Sequence, residues 1–234
     1  MNRTTFAKAG CLALTTLLLT LLPACSALLP KPAAQPSFFA LDGAPAAALP
    51  ALPVARAATI GATAAPTLVV NAPQASAGFD SQRIIYVRKA HQLEYFAHSE
   101  WVDTPARMLA PLIVAAVDKS GAFRAVVSTP SAAAGDLRLD TEIVRLQHEF
   151  GSTPSRVRLT LRATLTDNAT RQVLARIDFD SVADAASEDA YGGVVAANHA
   201  TRVVLQSLAV FCSEAARQWQ PRDPGVATGA VGRV

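Results

Sequence analysis

Between Arg156 and Leu165 the chain alternates strictly. Val157, Leu159, Leu161, Ala163 and Leu165 are apolar, and Arg156, Arg158, Thr160, Arg162 and Thr164 are polar. A period of two over this length marks a strand with one buried and one wet face. A turn at Asn168-Ala169-Thr170 folds the next segment back and sets Leu165 opposite Val173, Leu161 opposite Ile177, Leu159 opposite Phe179 and Arg158 opposite Asp180. The preceding strand changes phase: Leu137, Leu139, Thr141 and Ile143 keep one parity, while Val144, Leu146, His148 and Phe150 keep the other. One inserted residue at Ile143/Val144 reconciles them, because a bulge lets two residues face one. With a loop at 151–154, Glu149 then meets Arg156 and Glu142 meets Arg162. The pattern predicts a three-strand antiparallel meander from Asp136 to Val182, bulged in its first strand.

Upstream, Phe38-Phe39-Ala40-Leu41 and Thr67-Leu68-Val69-Val70 read as strands, the second closed by Asn71-Ala72-Pro73. Arg83 to Arg88 is a third, with Gln92 to Ala97 as its hairpin partner, and Trp101 follows. Thr104 caps a helix whose first turn suits Pro105. Met108, Leu109, Leu112, Ile113, Ala116 and Val117 recur at helical spacing, and Pro111 inside them predicts a kink or a later start. Ser120-Gly121 ends the helix and Phe123 to Val127 is another short strand. After a loop or hesitant helix start at 184–193, Val194, Ala197, Thr201, Val204, Leu208, Phe211 and Ala215 form the stripe of a long amphipathic helix that covers the inner face of the meander. Its other face, with Asn198, His199, Arg202 and Gln206, is too polar to span a bilayer. The elements predict one α+β domain: a mixed or antiparallel sheet with a C-terminal three-strand meander, packed by a central helix and a long C-terminal helix.

The N-terminus follows a different rule. Arg3 and Lys8 precede an uncharged apolar run from Cys11 to Leu22, which is an export signal too short for a comfortable span. Leu22-Pro23-Ala24-Cys25 resembles the bacterial lipobox, with Pro23 a departure. Cys25 is therefore the expected acylated first residue of the mature chain, carrying a covalent lipid anchor of the palmitate type. An ordinary secretory signal cut nearby is the alternative. Ser26, where an inner-membrane retention signal has Asp, favours sorting to the outer membrane. The predicted organisation is a lipoprotein signal peptide over 1–24, a tether with the first strand and an Ala/Pro-rich segment over 25–66, the folded domain over 67–217 and a disordered tail over 218–234.

Removing residues 1–24 from 234 leaves 210 residues, enough for one domain with a real core. The signal takes two basic residues with it, so 19 basic face 18 acidic groups and nothing resembles the footprint of a nucleic-acid binder. With Cys11 lost and Cys25 acylated, Cys212 has no intramolecular partner, which excludes a disulfide framework and a cysteine metal site. Its apolar neighbours Val210 and Phe211 suit a buried thiol. The sequence has no phosphate loop, zinc-helix motif or nucleophile elbow, so no catalytic residue and no cofactor or metal is assigned. His91 and His98 either meet across the hairpin at a metal or are simply solvated. Asp178 and Asp180 imitate an acid/base pair, yet opposite Arg158 and Thr160 they read as the wet side of a sheet. Tyr86, Tyr95, Phe96 and Trp101 gather in one hairpin region, where they either pack the core or line a groove for a lipid or partner. Trp219 reads as an exposed aromatic near the tail.

Phe38-Phe39-Ala40-Leu41 soon after the lipobox, Arg83-Ile84-Ile85-Tyr86, Leu93-Glu94-Tyr95-Phe96 and Trp101-Val102-Asp103-Thr104-Pro105 resemble the ABC-type transport auxiliary lipoproteins, the family of PqiC-like intermembrane transport lipoproteins. The similarity covers most of 22–217 and within the fold begins at about 37. The resemblance implies a non-enzymatic lipoprotein, anchored to the outer membrane and facing the periplasm. It implies an auxiliary or docking role in an Mce-type, ABC-linked system that moves lipid across the cell envelope. The implied partners are a membrane-bridging Mce-domain protein, its ABC permease and ATPase, the outer membrane through the anchor, and further copies of the chain in a homo-oligomeric ring. The other reading is a periplasmic lipid-binding chaperone that itself carries a lipid, held between meander and C-terminal helix.

Overall fold

The computed structural model describes residues 35–43 and 65–220. The chain divides into two units, 1–35 and 36–234, and everything described apart from Gln35 belongs to the second. The signal, Cys25, the Ala/Pro-rich segment over 44–64 and the tail beyond Gln220 lie outside the described residues.

The elements run β1 (Ser37–Phe39), β2 (Thr67–Val70), β3 (Gln74–Ala75), β4 (Arg83–Val87), β5 (Glu94–Trp101), α1 (Pro105–Lys119), β6 (Ala125–Ser128), β7 (Leu137–Glu149), β8 (Arg156–Asp167), β9 (Val173–Asp184) and α2 (Ala190–Gln218). This is the expected α+β domain, with a mixed sheet. Strand β7 organises it. Along one edge it pairs antiparallel with β8 over its full length. Along the other it takes β2, β3 and β4 in succession, all parallel. Parallel β6 extends the sheet beyond β2, while antiparallel β5 and then parallel β1 extend it beyond β4.

The bulge is where the phase change placed it. Register passes from Ile143↔Leu161 to Arg145↔Thr160, leaving Val144 extra, and Glu142 faces Arg162 while Glu149 faces Arg156. Leu137, Leu139, Ile143, Leu146 and His148 consequently all lie buried on one side. The β8–β9 register differs from expectation by two residues. The turn is longer than three residues: the Asp167 amide donates to the Gln172 carbonyl, and Arg171 adopts a positive φ of 59°. Leu161 therefore faces Phe179, Arg162 faces Asp178 and Thr160 faces Asp180, with Leu174 left over at an irregularity beside Thr166. Because two residues preserve parity, the same side chains still point inward. Helix α2 covers Phe179, Ser181 and Ala183, whereas Val173 and Ile177 near the other end of this outer strand remain exposed.

Helix α1 starts at Pro105 and runs through Pro111 to Lys119. The later start does not occur. Proline's missing N–H frees only the Arg107 carbonyl, and Pro111 and Arg107 both lie on the exposed face, where water can satisfy it. Thr104 holds the N-cap position without a side-chain bond, while Asp103 accepts from the Thr104 amide. Leu109, Ile113 and Val117 seat α1 on the core. Asp189 caps α2 by accepting from the Gly192 amide, which resolves the ambiguous stretch 184–193 as loop followed by helix. Val204, Leu208 and Cys212 then pack α2 over β8 and β9.

A buried polar knot joins the start of α2 to the β7–β8 turn. His148 shares a 2.7 Å hydrogen bond with the Ser155 hydroxyl, and the Ser155 amide donates to Glu188 at 2.8 Å. Gly193 lies against the imidazole so closely that a β-carbon would come within 2.5 Å of Nδ1. That nitrogen has no partner among the described residues. Burial pushes the imidazole below its ordinary 6.5, against the opposing pull of Glu188 and Asp189.

Two outcomes follow for stability. Deleting Val144 removes the bulge and leaves Leu137, Leu139, Ile143, Leu146 and His148 in one unbroken alternation, so that chain should keep a cooperative thermal transition with no bulge to accommodate. Val144→Ala keeps the residue count and should lose no more than ~1 kcal/mol in urea unfolding. For pH, the unfolded chain protonates His148 near 6.5 while the folded chain resists. Stability should be level above that value, fall as pH drops below it, and lose this step in His148→Gln. Hydrogen bonds from Ser155 and Gly192 hold Glu188 and Asp189 below their usual range, so their contribution is lost in a separate, more acidic window.

Candidate functional site

The hairpin of β4 and β5 places Tyr86 and Phe96 on the core side of the sheet, where β7 contributes His148 and the chain just beyond it contributes Phe150. Ring centroids are 4.7 Å apart for Tyr86–Phe96, 5.7 Å for Tyr86–Phe150 and 4.2 Å for His148–Phe150. The Phe150 amide donates to the Val87 carbonyl, fixing its position. Above the rings lies the Arg88 guanidinium, 4.9 Å from the Tyr86 centroid and 5.7 Å from that of Phe150. The Tyr86 hydroxyl donates to Glu94 at 2.9 Å, and that bond holds the phenol above its usual pKa. Tyr86, Phe96 and Phe150 are half-buried and Arg88 is exposed. Chemically this is an aromatic shelf roofed by a cation: it offers apolar area, π faces and charged donors to a partner.

The four aromatic residues of the hairpin region do not form one group. Tyr86 and Phe96 share the shelf. Tyr95 follows the alternation of β5 to the opposite face, where Arg83 stacks 4.1 Å over its ring. Trp101 faces the core where β5 pairs with β1 opposite Phe39, and it is fully buried. Phe150 and Arg88 complete the shelf but were absent from the sequence expectation. Phe150 shares the parity of His148 in its own strand, which was the one available signal.

The joint between the N-terminal segment and α2 is a second built feature. The Asn198 side-chain oxygen accepts from the amides of Asp42 and Gly43 at 2.8 and 2.7 Å, and its NH2 donates to the carbonyls of Ala40 and Val194. Leu41 is buried beneath this clamp and Arg202 donates to the Gly43 carbonyl. The segment that follows β1 is thereby locked to the C-terminal helix.

The far end of α2 is closed by Trp219. Its indole donates to Asp167 at 3.0 Å and its ring packs on the core, so it is a latch and not the exposed aromatic of the sequence reading. Exposed Val173 and Leu174 lie at this end. Asp178 and Asp180 bind Arg162 and Thr160, making the wet-face network expected of them, with Arg162 in place of Arg158. Cys212 is buried and its thiol is pushed up to about 12. The space between meander and α2 is filled by side chains such as Leu159, Leu161 and Leu208. A shallow groove of ≈ 570 Å³ opens instead beside α1, lined by Val70, Pro111, Val114 and Val126 among others. Among the described residues no cluster of three or more His, Cys, Asp or Glu is placed to hold a metal.

Protein XCC0632 from Xanthomonas campestris shares this fold. It is 22% identical with a TM-score of 0.61, over 66% of this chain and 87% of that one. Weaker likenesses are to the hypothetical protein CT253 from Chlamydia trachomatis, at TM-score 0.46, 7% identity, 67% of this chain and 100% of that one. The PelC dodecamer from Paraburkholderia phytofirmans gives 0.36 and 13% identity over 61% of this chain and 85% of that one. No curated protein matches the sequence. Residues 48–209 match the ABC-type transport auxiliary lipoprotein component, well over half of the 234 residues, and the chain belongs to that family.

Proposed function

We propose that the protein is the outer-membrane-anchored, non-enzymatic docking subunit of an Mce-type, ABC-linked system moving lipid between the two membranes of the cell envelope. Its lipid anchor is Cys25, its domain faces the periplasm, and its partner is the membrane-bridging Mce-domain protein, whose permease and ATPase supply the energy. Membership of a transport auxiliary lipoprotein family supports this reading. The observation that carries the docking role is the half-exposed shelf of Tyr86, Phe96 and Phe150 under Arg88. Partly exposed aromatic rings with a guanidinium are the side chains that dominate protein–protein binding energy. Several copies in a ring would present several shelves to one conduit and raise avidity without any new contact. Acyl chains gain about 0.8 kcal/mol per buried CH2 group, so two or three of them hold the domain at the membrane while it docks.

The carrier reading would use the groove beside α1, since the meander–helix space is packed. Native mass spectrometry distinguishes the two, because a carrier retains non-covalent lipid and a docking subunit does not.

In detergent extracts the full-length acylated protein should co-purify with an Mce-domain protein of the same cell. Phe96→Ser combined with Arg88→Glu should weaken that association by about tenfold or more, equivalent to ~1.4 kcal/mol, with near-ultraviolet circular dichroism unchanged. Undiminished association in this variant would place docking elsewhere, and no association in detergent or in cells would end the docking proposal.

A further inference from the structure

We infer that the rim around β1 is a membrane seat: Phe38, Val102 and Tyr191 settle into the headgroup–acyl boundary of the phospholipid bilayer that holds the anchor. The inference rests on the lipid-anchored reading of Cys25. It adds which face of the domain lies on the membrane. Phe38 and Tyr191 are each 59% exposed and Val102 is 51% exposed. All three adjoin Phe39 along the β1 edge, with Phe38 on the opposite face of the strand from Phe39 and Tyr191. Phe38 is its chain neighbour, the Val102 amide donates to its carbonyl at 2.9 Å, and the Tyr191 ring lies 6.4 Å from its own. Phe39 itself packs against the core, and the Asn198 clamp fixes the segment that follows, so the three exposed side chains stand on a rigid base.

The occupant follows from where the chain joins the fold. Phe38 is thirteen residues beyond Cys25, so whatever its conformation the connection spans at most about 45 Å. Another exposed apolar pair, Val173 and Leu174, lies beside Ala215 and Trp219, roughly 36 Å along α2 from Tyr191 at 1.5 Å per residue. Of these two surfaces only the rim adjoins the tether. Phenylalanine and tyrosine are suited to the headgroup level, where one end of the ring is wet. A covalent tether also makes modest contacts sufficient, since binding is then intramolecular. Three residues of β1 edge offer too few ladder bonds to seat a strand from another protein, which favours lipid over a protein occupant. Charges bordering the rim are mostly acidic, with Glu100 facing Phe38, Glu188 and Asp189 just before Tyr191, and Asp103 paired with Arg107. Anionic lipid should therefore not strengthen the seat.

The test uses the full-length acylated protein in phosphatidylcholine vesicles, with and without phosphatidylglycerol. Phe38→Cys, Tyr191→Cys and Leu174→Cys are labelled singly with an environment-sensitive dye; Cys212 is buried and does not compete. Labels at positions 38 and 191 should be quenched at least twofold by nitroxide lipids and shielded from aqueous iodide, no more strongly with phosphatidylglycerol than without it. The label at position 174 should behave the opposite way. Phe38→Asp with Tyr191→Asp should leave vesicle co-flotation intact and at least halve nitroxide quenching of a label at Val102→Cys. If the protein floats with vesicles while positions 38 and 191 stay as open to iodide as position 174, the seat is wrong and the anchor stands. If those positions become shielded only when an Mce-domain protein is added, the rim belongs to a protein partner and the proposal is overturned. If the wild-type protein does not float at all, the anchored reading fails and the seat with it.

Discussion

Everything in the domain is hung on β7, and β7 keeps a single apolar face only because a bulge absorbs its one surplus residue. The strand must show an apolar face to the helices along 13 residues while its two halves are written in opposite phase. The bulge at Val144 takes up the surplus residue, so that Leu137, Leu139, Ile143, Leu146 and His148 lie on one side. On its second edge the same strand supports β2, β3 and β4 in turn, each of them short. Those short parallel strands have little pairing of their own. They are held by β7 on one side and, for β2 and β4, by the neighbouring β6 and β5 on the other.

Helix α2 closes this sheet, and it is attached by polar joints as well as by its apolar stripe. Near its start the His148–Ser155–Glu188 knot meets Gly193, a place where only glycine leaves room for the imidazole. A turn later Asn198 satisfies two amides and two carbonyls, one of them its own helix's. At its end Trp219 latches to Asp167, which also organises the β8–β9 turn. A buried amide or imidazole with well-placed partners is costly to misplace, so such joints select one helix position where a purely apolar stripe would tolerate sliding. Through Asn198 the segment that follows β1 is thereby held to α2.

The aromatic shelf shows how a site can be half written in a sequence. Tyr86 and Phe96 were visible because they sit in one hairpin. Tyr95 and Trp101 looked like their companions because proximity along the chain does not reveal which face a residue takes, and an irregular β5 makes parity a poor guide. Phe150 and Arg88 were missed for the converse reason. They reach the shelf through the parallel pairing of β4 with β7, a contact between segments more than 60 residues apart.

What the sequence determined by itself was what depends on local periodicity and on which face each strand buries. The meander, its bulge, both helices, the buried Cys212 and the α+β class are of this kind, because hydrophobic phase and charge pairing between adjacent strands leave few registers open. The tertiary structure alone decided the two-residue register shift at Asp167, where hydrogen bonds inside the turn set its length. It also decided the continuity of α1 through Pro111, which depends on that face being wet, and the packing of Trp219 with its hydrogen bond to Asp167. The parallel strands packed on β7, and the shelf they complete, were likewise settled in three dimensions. Parallel pairing needs a long connection, and the side chains it brings together carry no sign of one another in the order of the chain.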